Sequence, residues 1–430
     1  MTPGFSPEER HALALDASDP LAPFRRRFFI PEDTVYLDGN SLGLMCRESR
    51  RSLQGTIDAW RDLGIAGWLE ADPPWFTYAE NLGEMVAPLV GAEPAEVVAT
   101  GTTTVNIHAL VAGLYRPRGR RTRILADTLN FSSDIYALQG QLALRGMDPK
   151  RHLVLVPSSD GRCLDETRIV EAMTEEVSLA LLPSVLFRSG QLLDMEYLTR
   201  EAHKRGILIG FDCSHSVGAV PHRLHDWGVD FGMWCGYKYL NGGPGSTAFL
   251  FLHTRHFPTE PRLAGWFGSI KEKQFDFSLE FTPRREAGGW QISSPGIFGA
   301  GALHGALTVI LEAGIDRIRE KSLALTEYLI ALCDHTLAAA PYHFHIGSPR
   351  EARRRGGHVA LIREERGWEI SQALKRRGIV PDFRPPDMIR LAPVALYNSY
   401  HDVWRAVLHL KEIVDRGEHL LAAGERKPIT

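Results

Sequence analysis

The sequence predicts an α/β protein whose large domain carries a mostly parallel sheet flanked by helices, followed by a smaller α+β C-terminal domain. Three observations predict it. From about residue 95 onward, short apolar runs alternate with segments of helical periodicity, the pattern of strands buried on both faces and joined by crossover helices. A glycine-rich stretch, GAGALHGAL (299–307), closes that pattern and a different order of elements follows. At 430 residues the chain also exceeds what one hydrophobic core usually supports.

In chain order, residues 1–60 are read as an N-terminal segment packing with the small domain, 61–300 as the large domain and 301–430 as the small one. The early part is irregular and helical by turns and ends in YLDGNSLGL (36–44), whose Gly-Asn-Ser string interrupts regular structure. Helical periodicity runs through 48–64 and 76–91. The expected strands are TRILADTL (122–129), HLVLVPS (152–158), VSLALLPSV (177–185), GILIGFD (206–212) and STAFLFLH (246–253), with helices between most of them, as at 132–146 and 195–206. Beyond the glycine-rich stretch come a long helical pattern to about residue 340, a strand at GHVALIR (357–363), a helix at 368–378 and an apolar run at MIRLAPVAL (388–396). A last helix occupies 400–417, with Asn398 and Ser399 as candidate caps.

Composition narrows the function classes. A net charge of −3 gives no electrostatic case for nucleic acid or an anionic membrane as partner, and the two Arg-Arg-Arg runs, 25–27 and 353–355, are expected to be solvated faces. Five cysteines without a CxxC pair fit neither a disulfide framework nor a zinc knuckle, so no metal site is expected. No stretch approaches the ~20 apolar residues that span a bilayer, and the first twenty residues lack a leader pattern. The expectation is a cytoplasmic protein in a reducing compartment.

The chemistry gathers around Lys238. It lies in DFGMWCGYKYLNGGPGS, downstream of Asp212 at the end of GILIGFD, with His215 three residues after that aspartate. An aspartate at the carboxyl end of a buried strand, followed by a lysine in an aromatic, glycine-rich turn, is how a pyridoxal 5'-phosphate site is assembled. The amine condenses with the cofactor aldehyde, and the carboxylate keeps the pyridine nitrogen protonated. TGTTTVNIHALVAGL (100–114) places hydroxyls and free N–H groups at a helix N-terminus, so Thr103 and Thr104 are candidates for the phosphate. In NFSSD (130–134), Phe131 can stack on a ring and Asp134 can accept bonds beside it; a core phenylalanine and a capping aspartate fit the local pattern equally well. Arg390, inside the apolar run MIRLAPVAL, needs a carboxylate partner, either internal or the α-carboxylate of a substrate.

Together, YLDGNSLGL, LHDWGVDFGMWCGYKYLNGGPGS, GWFGS, WQISSPGIF and IRLAPVALYNSYHDVW (389–404) resemble the kynureninase family of the fold type I, aspartate-aminotransferase-like PLP enzymes, and the resemblance covers most of the chain. It implies hydrolytic cleavage of the Cβ–Cγ bond of L-kynurenine to anthranilate and L-alanine, with 3-hydroxykynurenine used less well. It also implies a homodimer whose active sites are shared between subunits. By the same resemblance Lys238 carries the cofactor, Asp212 pairs with its ring nitrogen with Asp134 and His215 nearby, and Phe131 stacks on the ring. Thr103, Thr104 and Tyr237 surround the phosphate, while Trp266 and Ser294 reach the cofactor from the partner subunit; Tyr237, being next to the phosphate, is in addition the candidate acid–base group for the hydration step. Arg390, with Trp68, Ser293 and Ser41, is implied in substrate binding. Three positions depart from the family: Ser294 where asparagine is frequent, Pro183 where a serine stands, and Trp68 where animal enzymes have histidine. The principal alternative is a cysteine desulfurase-like lyase, which would need a cysteine on a mobile loop of the small domain; Cys333, the one cysteine there, sits in a helical apolar pattern. A non-catalytic homologue would have no reason to keep Asp212, Lys238 and Arg390 together, and a nicotinamide enzyme lacks its G-x-G-x-x-G signature.

Overall fold

The structure, a computed structural model, describes residues 5–421. After a short first strand, β1 (Val35–Tyr36), the chain builds a seven-stranded sheet from β2 (Val97–Ala99), β3 (Arg123–Asp127), β4 (Leu153–Val156), β5 (Val177–Pro183), β6 (Leu208–Asp212), β7 (Phe231–Trp234) and β8 (Phe249–Leu252). The strand order is β2-β8-β7-β6-β5-β3-β4, parallel throughout except for β8, which runs against both of its neighbours. Every residue of β5 is buried, as expected for a continuous apolar run covered by helices on both faces. All five runs read as strands from the sequence lie in this sheet. Two strands of this sheet were not foreseen. β2 has only three residues, too few to show a period, and β7 contains a glycine and runs into the aromatic lysine turn.

The glycine-rich stretch does not interrupt regular structure. It forms the interior of helix Ile297–Ala313, which packs along helix Arg47–Leu63. A Cβ on Gly301 would overlap Thr56 Oγ1, and one on Gly305 would overlap the carbonyl of Glu48. The glycines therefore permit close approach between two helices, which offsets their entropic cost within a helix. Gly314, at φ +79°, then turns the chain sharply, and the axis of helix Ile315–Thr336 lies 80° from that of the helix before it.

Two cores flank this turn. Leu303, Leu307 and Ile310 pack with the sheet's core, whereas Leu325, Leu329 and Leu332 join a second core with Val403, Val407 and Leu410. The change of core comes within helix Ile315–Thr336, where Ile318 still packs with the first core and Leu325 with the second. The second core covers the antiparallel sheet β12-β13-β10-β9, made of β9 (His345–Ile346), β10 (Val359–Ile362), β12 (Asp382–Arg384) and β13 (Met388–Leu391). β11 (Ile379–Val380) pairs in parallel with β1, which ties the N-terminal segment to this side; Ala12, Val35 and Leu37 share its core. Leu21, Phe24 and Phe28 belong to the large core instead, so the N-terminal segment bridges the two. The last helix, Tyr400–Asp415, is capped by Ser399, which accepts from the Asp402 N–H while Asp402 accepts from the Ser399 N–H.

The arginine runs are not simply solvated faces. Arg25 pairs with Asp402 at 2.5 Å, Arg27 with Glu48 at 2.9 Å and Glu312 at 2.6 Å, and Arg355 is buried against Thr326 and Glu327. They stitch the N-terminal segment and the helices together. Among the described residues no single helix is long and apolar enough to cross a membrane. One cluster, Glu96 with His225 and His253, has metal-type donors. Its carboxylate accepts from the N–H groups of Glu93 and Thr254, and the two rings stack at 11°.

At the opposite end of β7 from the lysine turn, buried Asp230 accepts from Ile209 N–H at 2.8 Å, His203 at 2.9 Å and His256 at 2.8 Å. Burial pushes its carboxyl up, but these donors outweigh burial and bring it down to about 2. A depressed aspartate stabilises the fold at pH values above its unfolded pKa, and that stability is lost as pH falls through the folded value. Asp230→Asn is expected to cost about 2 kcal/mol at pH 7, from roughly two units of depression. Urea titrations of the cofactor-free protein should find the loss shrinking between about pH 4 and pH 2.

Candidate active site

The carboxyl ends of the parallel strands meet at one edge of the sheet, and the candidate residues gather there. Asp212 closes β6 and its Oδ1 accepts the Ser214 N–H at 2.8 Å. After β2 and β3 come helices Thr103–Leu114 and Ser132–Ala143, whose first turns point to the same edge. Thr104 and Ser133 join these two helix starts through a hydroxyl–hydroxyl bond of 2.6 Å. Between them and the lysine turn lies a cleft of about 240 Å³, lined among others by Thr103, Thr104, Phe131, Asp134, Asp212, Tyr237 and Lys238. Seven residues chosen from sequence therefore share one wall-to-wall site.

Its electrostatics follow from burial. Asp134 is almost wholly buried and faces Asp212; burial and that neighbouring carboxylate hold its carboxyl well above the usual range. Its Oδ2 has no protein partner, so the pair presents an unsatisfied acceptor edge to the cleft. Asp134 is thus not the helix cap that its position allowed. His215 forms the wall behind Lys238, whose Nζ lies 2.9 Å from His215 Nε2. Burial, then the charges of Lys238 and Arg390, push that imidazole well below its usual pKa, so the neutral ring accepts from the amine. Tyr237 is raised by burial and by Cys235 beside it, which makes it a hydroxyl donor at neutral pH. Phe131 is not a core residue: it is 47 % exposed at the cleft mouth, edge-on to Phe187 at 5.4 Å.

This donor set fits pyridoxal 5'-phosphate. An amine stands in the cleft, a buried carboxyl pair with a free acceptor edge suits a protonated ring nitrogen, and two helix N-termini with three hydroxyls suit a phosphate dianion. A fourth hydroxyl, beside those of Thr103, Thr104 and Ser133, is Ser246, whose buried Oγ has no protein partner. Ser246 and Ser133 were not singled out from sequence, although both lie in runs that were, GGPGS and NFSSD. Their role depends on where two separate loops meet, which no local pattern reveals.

Arg390 and Ser41 lie beyond Lys238, bonded to each other at 3.2 Å. The internal partner left open for Arg390 is Asp382, its cross-strand neighbour. The loop carrying Ser41 is held to the lysine turn by Gly43 N–H donating to Tyr237 O at 2.8 Å. His215, Arg390 and Ser41 are not among the residues lining the cleft itself, and four further candidates lie away from it. Trp68 and Trp266 pack on Phe267, with ring centres 5.9 and 5.1 Å away, and Ser293 and Ser294 are exposed.

The profile of the kynureninase C-terminal domain matches residues 318–410. Kynureninase of Geobacillus thermodenitrificans is 51 % identical over 425 residues, covering 99 % of both chains, and that of Shouchella clausii is 51 % identical over 97 % of each. Kynureninase of Bacillus anthracis is 49 % identical over 99 % of both. In structure, an apo cysteine desulfurase from Thermococcus onnurineus superposes with a TM-score of 0.78 at 19 % identity, over 92 % of this chain and 98 % of that one. A C-DES mutant with glycine covalently linked to its PLP cofactor also gives 0.78, at 17 % identity over 90 % and 99 %. These structural neighbours establish the fold alone.

A carboxyl whose pKa is raised by folding weakens the native state as pH climbs above its unfolded value. Without cofactor, Asp134→Asn should therefore gain stability relative to wild type between about pH 4 and pH 8. Urea midpoints at the two pH values check this; a constant difference would show that Asp134 is not held protonated.

Proposed function

The chain belongs to the kynureninase family and is a pyridoxal phosphate-dependent hydrolase of carbon–carbon bonds in ketones; we propose that it cleaves the Cβ–Cγ bond of L-kynurenine to anthranilate and L-alanine. The observation that carries this reading is the convergence of Lys238, the Asp134–Asp212 pair and two helix N-termini in one cleft of a chain half identical to kynureninases.

When bound, pyridoxal 5'-phosphate supplies an electron-withdrawing ring that makes protons on the substrate's α and β carbons labile. Lys238 is the base that moves the α-proton, and neutral His215, 2.9 Å from Nζ, accepts a hydrogen bond that orients the amine. Asp212, backed by Asp134 whose carboxyl burial and Asp212 hold above the usual range, would sit at the ring-nitrogen end and keep the electron sink charged. Thr103, Thr104, Ser133 and Ser246 anchor the phosphate. Arg390 and Ser41 bind the α-carboxylate. Tyr237, protonated at neutral pH, donates to the γ-carbonyl oxygen as water adds there.

Trp68, Trp266, Ser293 and Ser294 complete the pocket of a partner subunit in a homodimer. This is supported by the exposed aromatic surface beside them, with Trp60 at 59 %, Trp266 at 50 % and Phe277 at 81 % exposure. Five unpaired cysteines accord with a reducing, cytoplasmic setting. The desulfurase alternative is disfavoured by the curated relatives and by Cys333, which is buried within helix Ile315–Thr336 with its thiol raised by burial and so cannot serve as a mobile nucleophile.

Fluorescence detection of anthranilate from L-kynurenine, paired with alanine assay, should give equimolar products from PLP-loaded protein, and Lys238→Ala should form neither; activity surviving that substitution would remove Lys238 from the mechanism. With an apolar indole at Trp68 rather than an imidazole, L-kynurenine should show a higher kcat/KM than 3-hydroxykynurenine. The reverse order would mean that another residue recognises the hydroxyl.

A further inference from the structure

Arg390 lies on β13 directly across from Asp382 on β12, and both side chains are buried. The guanidinium gives Nε and Nη2 to Asp382 Oδ2, Nη1 to the carbonyl of Phe187 and Nη2 also to Ser41 Oγ at 3.2 Å. Arg384 approaches the same Asp382 oxygen at 3.0 Å. A second carboxyl, Asp38, belongs to the group. Burial first, then the charge of Asp382, push it up to about 6, while Ser41, Arg390 and Arg384 act in the other direction. Two guanidiniums therefore face two carboxyls, and the buried group is close to neutral before any ligand arrives.

We propose that Asp382 sets the affinity of the site for carboxylates: it occupies Arg390 as an internal stand-in for the substrate's α-carboxylate and so weakens the binding of substrate and of L-alanine. The inference rests on the reading of Arg390 as the carboxylate-binding residue. Beyond Asp382, Nη1 and Nη2 of Arg390 meet a carbonyl and a hydroxyl, neutral acceptors that a carboxylate outcompetes. A carboxylate seated there is a third negative group against two positive ones.

Asp382 then has two opposed effects. It holds the guanidinium in one rotamer, and fixing one side chain favours binding by about tenfold at most. Its charge also repels the incoming carboxylate across a single guanidinium fork. At an effective dielectric constant of about 20 that repulsion is worth on the order of a hundredfold. The repulsion wins. Asp382 and Asp38 thereby keep L-alanine, which carries the same carboxylate as the substrate, from lingering after the bond is broken.

The test uses holoenzyme titrated with L-alanine and with L-alaninamide, which has the amine but no carboxylate charge, followed by the cofactor's absorbance. Asp382→Asn should bind L-alanine about tenfold more tightly and lower the KM for L-kynurenine by a similar factor, with L-alaninamide unchanged. A residue that only supports the fold would weaken binding, the opposite sign. Because breaking a buried pair can prevent folding, Asp38→Asn serves as a second variant; it leaves the Arg390–Asp382 pair intact and should tighten L-alanine about threefold. Unchanged or weaker L-alanine binding in whichever variant folds overturns the proposal. Arg390→Ala separates the two levels of inference. If it weakens L-alanine while the carboxyl variants leave it unaltered, Arg390 keeps its role and the proposal falls. If it leaves L-alanine untouched, both fall.

Discussion

A buried pair of carboxyls is the constraint around which this molecule is arranged. Asp212 and Asp134 come from different strand–helix units and meet at the carboxyl edge of the sheet, where they cannot both be charged without a cation between them. Burying them together is unfavourable, and a cation placed beside them would relieve that cost. The sheet's topology makes the meeting possible. Strands β2, β3 and β6 all end at one edge, so two helix N-termini and one strand-end carboxylate face a common space. β7, parallel to β6, then delivers the chain to Lys238 at the same edge. The cationic, anionic and hydroxyl components of the site are therefore set by strand direction before any side chain is chosen.

Much of this was legible in the sequence because it is local. Continuous apolar runs such as VSLALLP have one stable environment, a strand covered on both faces, and β5 is that strand. A helix start with three threonines, an aspartate closing an apolar run and a lysine in a glycine-rich turn each carry their chemistry within a few residues. What was not legible depends on contacts made at a distance. GAGALHGAL reads as a break because glycine weakens an isolated helix; only the close approach of helix Arg47–Leu63 makes those glycines favourable. The arginine runs read as solvent-facing because their partners, Asp402, Glu48, Glu312 and Glu327, lie far away in sequence. Ser133 and Ser246 were passed over for the same reason.

Arg390 marks where the three parts of the chain touch. Its guanidinium contacts Asp382 of the second core's sheet, the Phe187 carbonyl just beyond β5 and Ser41 of the N-terminal segment. The strings around it, YLDGNSLGL and IRLAPVALYN, were informative in sequence as motifs, and their meaning is geometric. β1 pairs with β11 beside β12, so the loop after β1 is laid against both the lysine turn and Arg390. A charge buried at such a junction requires compensating groups from all sides, which is why two carboxyls and a second arginine accompany it.

The same reasoning bears on the four candidates that one chain leaves outside its own cleft. Trp68 and Trp266 form an aromatic cluster with Trp75, Phe267 and Phe275, and this cluster continues into solvent-exposed apolar side chains, Phe277 and Leu279 among them. The surface stands apart from the cleft of its own subunit, and Lys271, buried against Phe76, Phe267 and Glu80, braces it from behind. A braced apolar surface with no partner in its own chain is costly in water unless another molecule covers it. A second copy related by a twofold axis would cover it and, by symmetry, bring the partner's equivalent side chains over this cleft. Phe131 at the cleft mouth, nearly half exposed and edge-on to Phe187, likewise leaves its outer face open to whatever covers that side.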